Sequence, residues 1–365
     1  MAVAHGLGTW GLGSGRALAR AIDAYRQGQL DESRLQAIGD AIRTRHWKAQ
    51  HEAGHAFVTV GDFAFRDPVL AHSVLVGMAT PSGDRSEQGC SFDILLDDLP
   101  HTSVRGESRQ WFDTAMSYIA PSLPEDAQFG LTRSSLLDDV ERAIALGYAV
   151  KPVVLGPLTY LWLAQASGDG TDVLGLLDRL LPVYGELFTC LAAQGVEWVE
   201  VDEPLLTQDL PLAWASAYER AYNLLQKEPL KKLIACGFGK LDSNLGLAAS
   251  LPVDGLHVDI AGDHSRLVRV LDRIPGYKVL SLGLVTAADS EIEIERAQVF
   301  AREAHERIGD RLWVSAVSTI YADEQEHFDG AGLRGGLAAF AKASVLAAQI
   351  AARASDDFER SSAAA

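Results

Sequence analysis

Acidic residues stand at several points of this chain where a carboxylate could act on a bound molecule. In Val201-Asp202-Glu203-Pro204 two adjacent acids follow the alternating run Val199-Glu200-Val201, and Pro204 ends the run and turns the chain. Alternation sends Asp202 and Glu203 to opposite sides of a strand, so at most one of them lines a given cavity. Asp62 closes the run FVTVGD, and His257 and Asp259 stand two apart in GLHVD, on one side of a strand. Gly156 with Pro157, Cys236 and Ser318 end three further runs of the same kind. Carboxylates gathered around one opening can hold a ligand's ammonium group or a metal ion, or move a proton if burial raises a pKa. The competing role for each acid is structural, as a helix cap or the partner of an internal arginine.

One string imitates a metal motif. His51-Glu52-Ala53-Gly54-His55 spells HExxH, which binds zinc only when both histidines share one face of an unbroken helix. Gly54 at a helix end and a strand directly after it argue for a chance match.

The elements that must position these residues alternate along the chain. Eight β-branched runs occupy residues 5–9, 57–62, 151–156, 197–203, 232–236, 255–260, 278–284 and 311–317. Between them, residues 31–52, 134–146, 173–193, 212–226, 265–274 and 292–308 carry apolar positions three and four apart, the helical period. This rhythm predicts an α/β protein of the (β/α)8 TIM-barrel type, a single domain over residues 1–355 with an N-terminal helical extension. A long insertion over residues 63–130 leaves the end of the second strand, where barrel active sites are built. No GxGxxG follows a strand, so dinucleotide binding has no support. Residues 356–365 read as a disordered tail.

With 365 residues, 48% of them apolar, the chain can bury a large core. A formal charge of -17 opposes binding to nucleic acid or to an anionic membrane. The first residues, MAVAHGLGTWGLGSG, lack the pattern of a signal peptide, and Cys90, Cys190 and Cys236 are too dispersed for a disulfide framework or a zinc knuckle. A cytoplasmic protein acting on a small-molecule ligand is the expectation.

The strings RHWKAQHEAG, VGDFAFRDPVLAHSVLVG, ALGYAVKPVVLGPLTYLWL, LLPVYGELFTCLAAQGVEWVEVDEPLL, LPVDGLHVD and RLWV resemble the amino-terminal barrel of cobalamin-independent methionine synthase, in order and over nearly the whole chain. The resemblance implies a methyltransferase component of methionine biosynthesis, working with folate. In that family a second, carboxy-terminal barrel holds zinc and homocysteine through a His-x-Cys pair, a Glu and a late Cys. No His-x-Cys pair occurs here, and Cys236, Asp259 and Ser318 at the corresponding strand ends make a poor zinc set. The resemblance therefore implies no metal or cofactor in this chain, inactivity alone, and a possible separate zinc-bearing barrel as partner.

Their places at the carboxyl ends of barrel strands nominate Asp62, Asp202, Glu203, His257 and Asp259 as the substrate-binding set, and the resemblance singles out Asp202, whose counterpart in the family's zinc barrel contacts the substrate amino group. Arg16, Arg20, Gln110, Trp111 and Asp113 fall where the family meets the polyglutamate tail of methyltetrahydrofolate. That second set is depleted of cations. Ala17 and Ala19 replace an acid and a lysine, Gln110 replaces a lysine, Ala115-Met116-Ser117 replaces Asn-Tyr-His, and Thr286-Ala287-Ala288-Asp289 replaces Asn-Gly-Arg-Asn. Each lost cation removes a charge-assisted contact of about 1.5–3 kcal/mol. An alternative is a repurposed or non-catalytic barrel that binds another polar or amino-acid-like ligand, or an interaction subunit.

Overall fold

The structure is a computed structural model, and it describes residues 1–9, 16–65, 67–78, 105–112, 114, 116–132, 135–168, 172–260, 262–318, 327–328, 333–334 and 336–363. Eight parallel strands form one curled sheet: β1 (Val3–Ala4), β2 (Val58–Val60), β3 (Val150–Leu155), β4 (Trp198–Asp202), β5 (Lys231–Cys236), β6 (Gly255–Asp259), β7 (Val279–Val285) and β8 (Leu312–Ala316). Each pairs with its neighbour in chain order from β2 through β8, and β8 pairs with β1. This is the expected TIM-barrel arrangement. Strands β3, β4 and β6 are buried at every residue, as parallel strands covered on both faces must be.

The seam between β1 and β2 is closed differently. Among the described residues a single backbone–backbone hydrogen bond crosses it, from Ala56 N–H to the Ala4 carbonyl at 2.9 Å. Gln50, from the helix Glu32–Glu52, fills the gap: its Oε1 accepts from Thr59 N–H at 3.0 Å, and its Nε2 donates to Thr59 Oγ1 at 2.9 Å. A side-chain amide thus stands in for a missing strand contact.

The amino-terminal end of the barrel is plugged by Trp198, Leu233 and Trp313, with Val3, Phe57 and Val279 packed against them. The Trp198 and Trp313 ring centroids are 4.7 Å apart. The helices expected from periodicity are present as Glu32–Glu52, Ser135–Ala145, Leu177–Ala193, Leu212–Leu225, His264–Leu271 and Glu291–Ile308. In the segment after β2, Arg105–Gln110 pairs antiparallel with Ser117–Leu123.

Two expectations are corrected. The first strand is Val3–Ala4, so residues 5–9 are not strand but the turn that enters the mouth. A helix spans Gly336–Ala363 and therefore runs through most of the tail expected to be disordered. Its Ala343, Ala347, Ile350, Ala351 and Ala354 are buried, and this Ala-rich, helix-favouring stretch docks on the barrel.

Candidate functional site at the barrel mouth

Alternation along β4 sorts its acids. Trp198, Glu200 and Asp202 point inward, at the bottom, middle and mouth of the barrel. Asp202 lines a small cavity at the carboxyl end with Leu7, Gly8, Glu200, Pro204, Ala235, Gly237, Phe238 and Ser318. Glu203 points the other way and is fully buried between barrel and helices. Its Oε2 accepts from Thr159 N–H (2.9 Å), Thr159 Oγ1–H (2.6 Å) and Tyr218 O–H (2.9 Å). Its Oε1 accepts from Leu158 N–H (3.3 Å) and Tyr222 O–H (2.9 Å). Burial pushes this carboxyl's pKa up, and the Thr159, Tyr218 and Tyr222 hydrogen bonds oppose that rise. The Pro157 turn serves Glu203 as well, because a Cβ on Gly156 would lie 2.1 Å from Glu203 Cδ. Glu203 is a structural group here, and so are Gly156 and Pro157.

The barrel interior between plug and mouth is polar. Lys151 on β3 and Glu200 are buried and form an ion pair through Nζ and Oε2. Glu200 Oε1 also accepts from Gly8 N–H at 2.7 Å. Asp62, just past β2, accepts from Thr9 N–H at 2.9 Å and from Thr59 Oγ1–H at 3.2 Å, with His46 Nδ1 at 3.8 Å. The turn after β1 is thereby tied down into the mouth by Glu200 and Asp62. Asp62 is engaged with the protein's own backbone.

His257 and Asp259 lie together as the sequence suggests. His257 Nε2 is 3.1 Å from Asp259 Oδ1, and His257 Nδ1 is 2.7 Å from Ser281 Oγ. Ser281 Oγ is also 2.6 Å from His5 Nε2. Ser318 N–H points at both Asp259 oxygens, at 3.2 and 3.3 Å. Gly283 makes room for this carboxylate, since a Cβ there would fall 2.1 Å from Asp259 Oδ1.

Asp202, Asp259 and Ser318 are therefore brought together at the mouth, and Cys236 is not. Cys236 faces outward into the main hydrophobic core, where burial pushes its thiol pKa well up. The zinc ligands of a methyl-transfer centre do not fit this donor set. The thiol is on the wrong side of the sheet, both His257 nitrogens are engaged, and no cluster of three or more metal-ligating side chains occurs among the described residues. The HExxH string is likewise dispersed: its helix ends at Glu52, Gly54 has φ +85°, the His51 ring lies tilted against Tyr148, and His55 points to the Ser344 carbonyl.

The positions that the resemblance assigns to folate are partly described. Arg20 and Gln110 are exposed, and Gln110 Nε2 donates to the Thr114 carbonyl at 2.6 Å. Arg16 begins the helix Arg16–Arg26, and Asp113 lies outside the described residues. Trp111 is buried, not surface-exposed. Its ring meets Phe112, Tyr118 and Phe238 edge to face at 5.3, 6.1 and 6.0 Å, so it backs the mouth through Phe238. Both Phe112 and Phe238 sit at positive φ, +43° and +65°. No helix of the described residues is long and apolar enough to cross a membrane.

Sequence reasoning missed Glu200, Lys151, His5, Ser281 and Phe238. A signal existed for two of them, because a charged residue in the middle of a β-branched run that is buried on both faces requires a partner inside the barrel.

Fold and mouth together define a (β/α)8 barrel with a polar interior and an acidic opening at the carboxyl ends of its strands. The model of the cobalamin-independent synthase N-terminal domain matches residues 3–289, and the chain belongs to that family. A B12-independent methionine synthase from Shewanella sp. W3-18-1, solved with selenomethionine, is similar at TM-score 0.64 and 13% identity, covering 91% of this chain and 92% of that one. A methyltransferase from Methanosarcina mazei is similar at TM-score 0.56 and 13% identity, covering 98% and 94%. At such low identity both likenesses speak to the barrel fold alone.

Proposed function

We propose that this chain is the amine-recognising barrel of a methionine synthase system, with the ammonium group of methionine or homocysteine held at the mouth by Asp202 and Asp259. The observation that carries this reading is the division of labour on β4: Glu203 is consumed by five internal donors, while its neighbour Asp202 faces the mouth cavity. Family membership and the selenomethionine bound by the Shewanella protein support an amino-acid ligand. Methyl transfer then requires a zinc-bearing barrel besides this one, and folate is held weakly because cations are missing at Gln110 and Ala19.

Titration calorimetry of the purified chain with methionine, homocysteine and a methyltetrahydrofolate polyglutamate tests the reading. Binding of the amino acids that disappears in Asp202→Asn supports it. Binding of neither amino acid overturns it and favours a repurposed barrel for a different ligand.

A further inference from the structure

The mouth cavity is small for an amino acid. Its volume is about 10 Å³, close to the least that holds one water. A primary ammonium group is of that size and a carbon skeleton is not, so the cavity admits the charged end of a ligand and leaves the rest outside. Glu200, Asp202 and Ser318 form its polar side, and Leu7, Pro204 and Phe238 close it with apolar atoms.

Phe238 has the largest side chain of this lining, and its backbone is held in a costly shape. It follows β5 by two residues and sits at φ +65°, where a residue with a Cβ is uncommon. The contacts that hold it there are specific. A Cβ on Gly237 would collide with Ser318 Oγ, and one on Gly239 would collide with Thr207 Oγ1, so the residues on either side of Phe238 are pressed against the turns after β8 and β4. Behind the ring stands Trp111, fully buried and edge to face with it at 6.0 Å. Trp111 comes from the insertion after β2, which a barrel of eight strands does not itself need. Surroundings that impose an unfavourable backbone in order to present one ring at a cavity point to a use for that ring.

We propose that Phe238 is the specificity-determining residue of the mouth, closing the chamber around a primary ammonium group and excluding N-methylated amines. This inference rests on the amine-recognition reading above. An N-methyl group puts a carbon in place of a donor that a carboxylate accepts from, and that carbon needs the room the ring occupies. Phe238 also packs on the main hydrophobic core, and a purely structural ring would affect stability without affecting the choice of amine.

The experiment is titration calorimetry of the full chain with methionine and with N-methylmethionine. The wild type should bind the N-methylated compound about tenfold or more weakly, the discrimination a fitted pocket reaches against one extra carbon. Phe238→Gly removes the ring and suits the positive φ, so it should keep methionine binding and bring the two affinities within about threefold of each other. Phe238→Leu, which keeps part of the bulk, should fall between. Equal binding of the two compounds by the wild type overturns the proposal and leaves the amine-recognition reading standing. That comparison needs no variant, so it decides the matter even where a substitution unfolds the chain. A folded Phe238→Gly with the wild-type ratio also overturns it, because the ring would then serve the core alone. Binding of neither compound by the wild type overturns both readings.

Discussion

At the residue scale, adjacent acids on one strand carry opposite duties, and they should respond oppositely to neutralisation. Asp202→Asn removes a charge from the mouth, so it should abolish methionine binding in a calorimetric titration and leave the melting temperature nearly unchanged. Glu203→Gln places an amide N–H₂ among five donors, where one oxygen at most can still accept. Loss of such a buried acceptor should cost about 3 kcal/mol in a denaturant titration. A ligand-binding defect without that loss would contradict the structural role of Glu203.

Asp139 supplies a pH signature away from the mouth. It is buried beside Arg43 and Arg142, and burial raises its pKa from 3.8 to about 6 in spite of them. A folded-state value above the unfolded one means that its stabilising contribution is complete below the unfolded pKa and is lost as pH rises through about 6. The change is of the order of 2–3 kcal/mol at most. Unfolding midpoints of the wild type and Asp139→Asn should therefore diverge between about pH 4 and about pH 6.5, with the wild type losing stability as pH rises. Parallel curves would show that the two arginines keep Asp139 ionised throughout.

At the scale of elements, the seam between β1 and β2 depends on a helix residue instead of a ladder. Gln50→Leu keeps the volume and strands the buried Thr59 N–H, a cost of about 1–3 kcal/mol. Hydrogen exchange at Thr59 should accelerate with the rest of the sheet still protected. Unchanged exchange there would mean that the strands close without the amide. At the other end of the chain, Ser355 is buried and its Oγ accepts from Ala2 N–H at 2.8 Å. Helix docking beside β1 thus reaches Ser355, the last residue before the stretch where composition suggested disorder.

At the scale of the whole molecule, the acidic balance and the shortage of cations at the proposed folate positions bear on partners. Gln110 and Arg20 are exposed, so added cations there act through solvent. Gln110→Lys with Ala19→Lys should raise affinity for folate polyglutamates at low salt, and the gain should shrink as salt screens it. No gain at low ionic strength would point to a remodelled pocket. Elemental analysis should find far less than one zinc per chain after dialysis against a mild chelator, because Cys236 faces away from the mouth. Stoichiometric zinc that survives dialysis would require a donor set different from the one described.

The sequence by itself determined the repetition. Residues 151–156, 197–203, 232–236 and 255–260 read as strands because apolar side chains are demanded on both faces, and the ladders fall within one or two residues of those bounds. It also determined that Asp202 and Glu203 part company, since side-chain period 2 is a local property. Which of the two faces inward was decided only by the closed sheet. Tertiary structure likewise turned Cys236 outward, sent the 5–9 segment into the mouth, and joined His5 to Ser281 across 276 positions of chain. Patterns of two or four residues can express a strand or a helix. Pairing across a barrel depends on how eight strands curl, and that is set by the packing of the whole sheet on its helices.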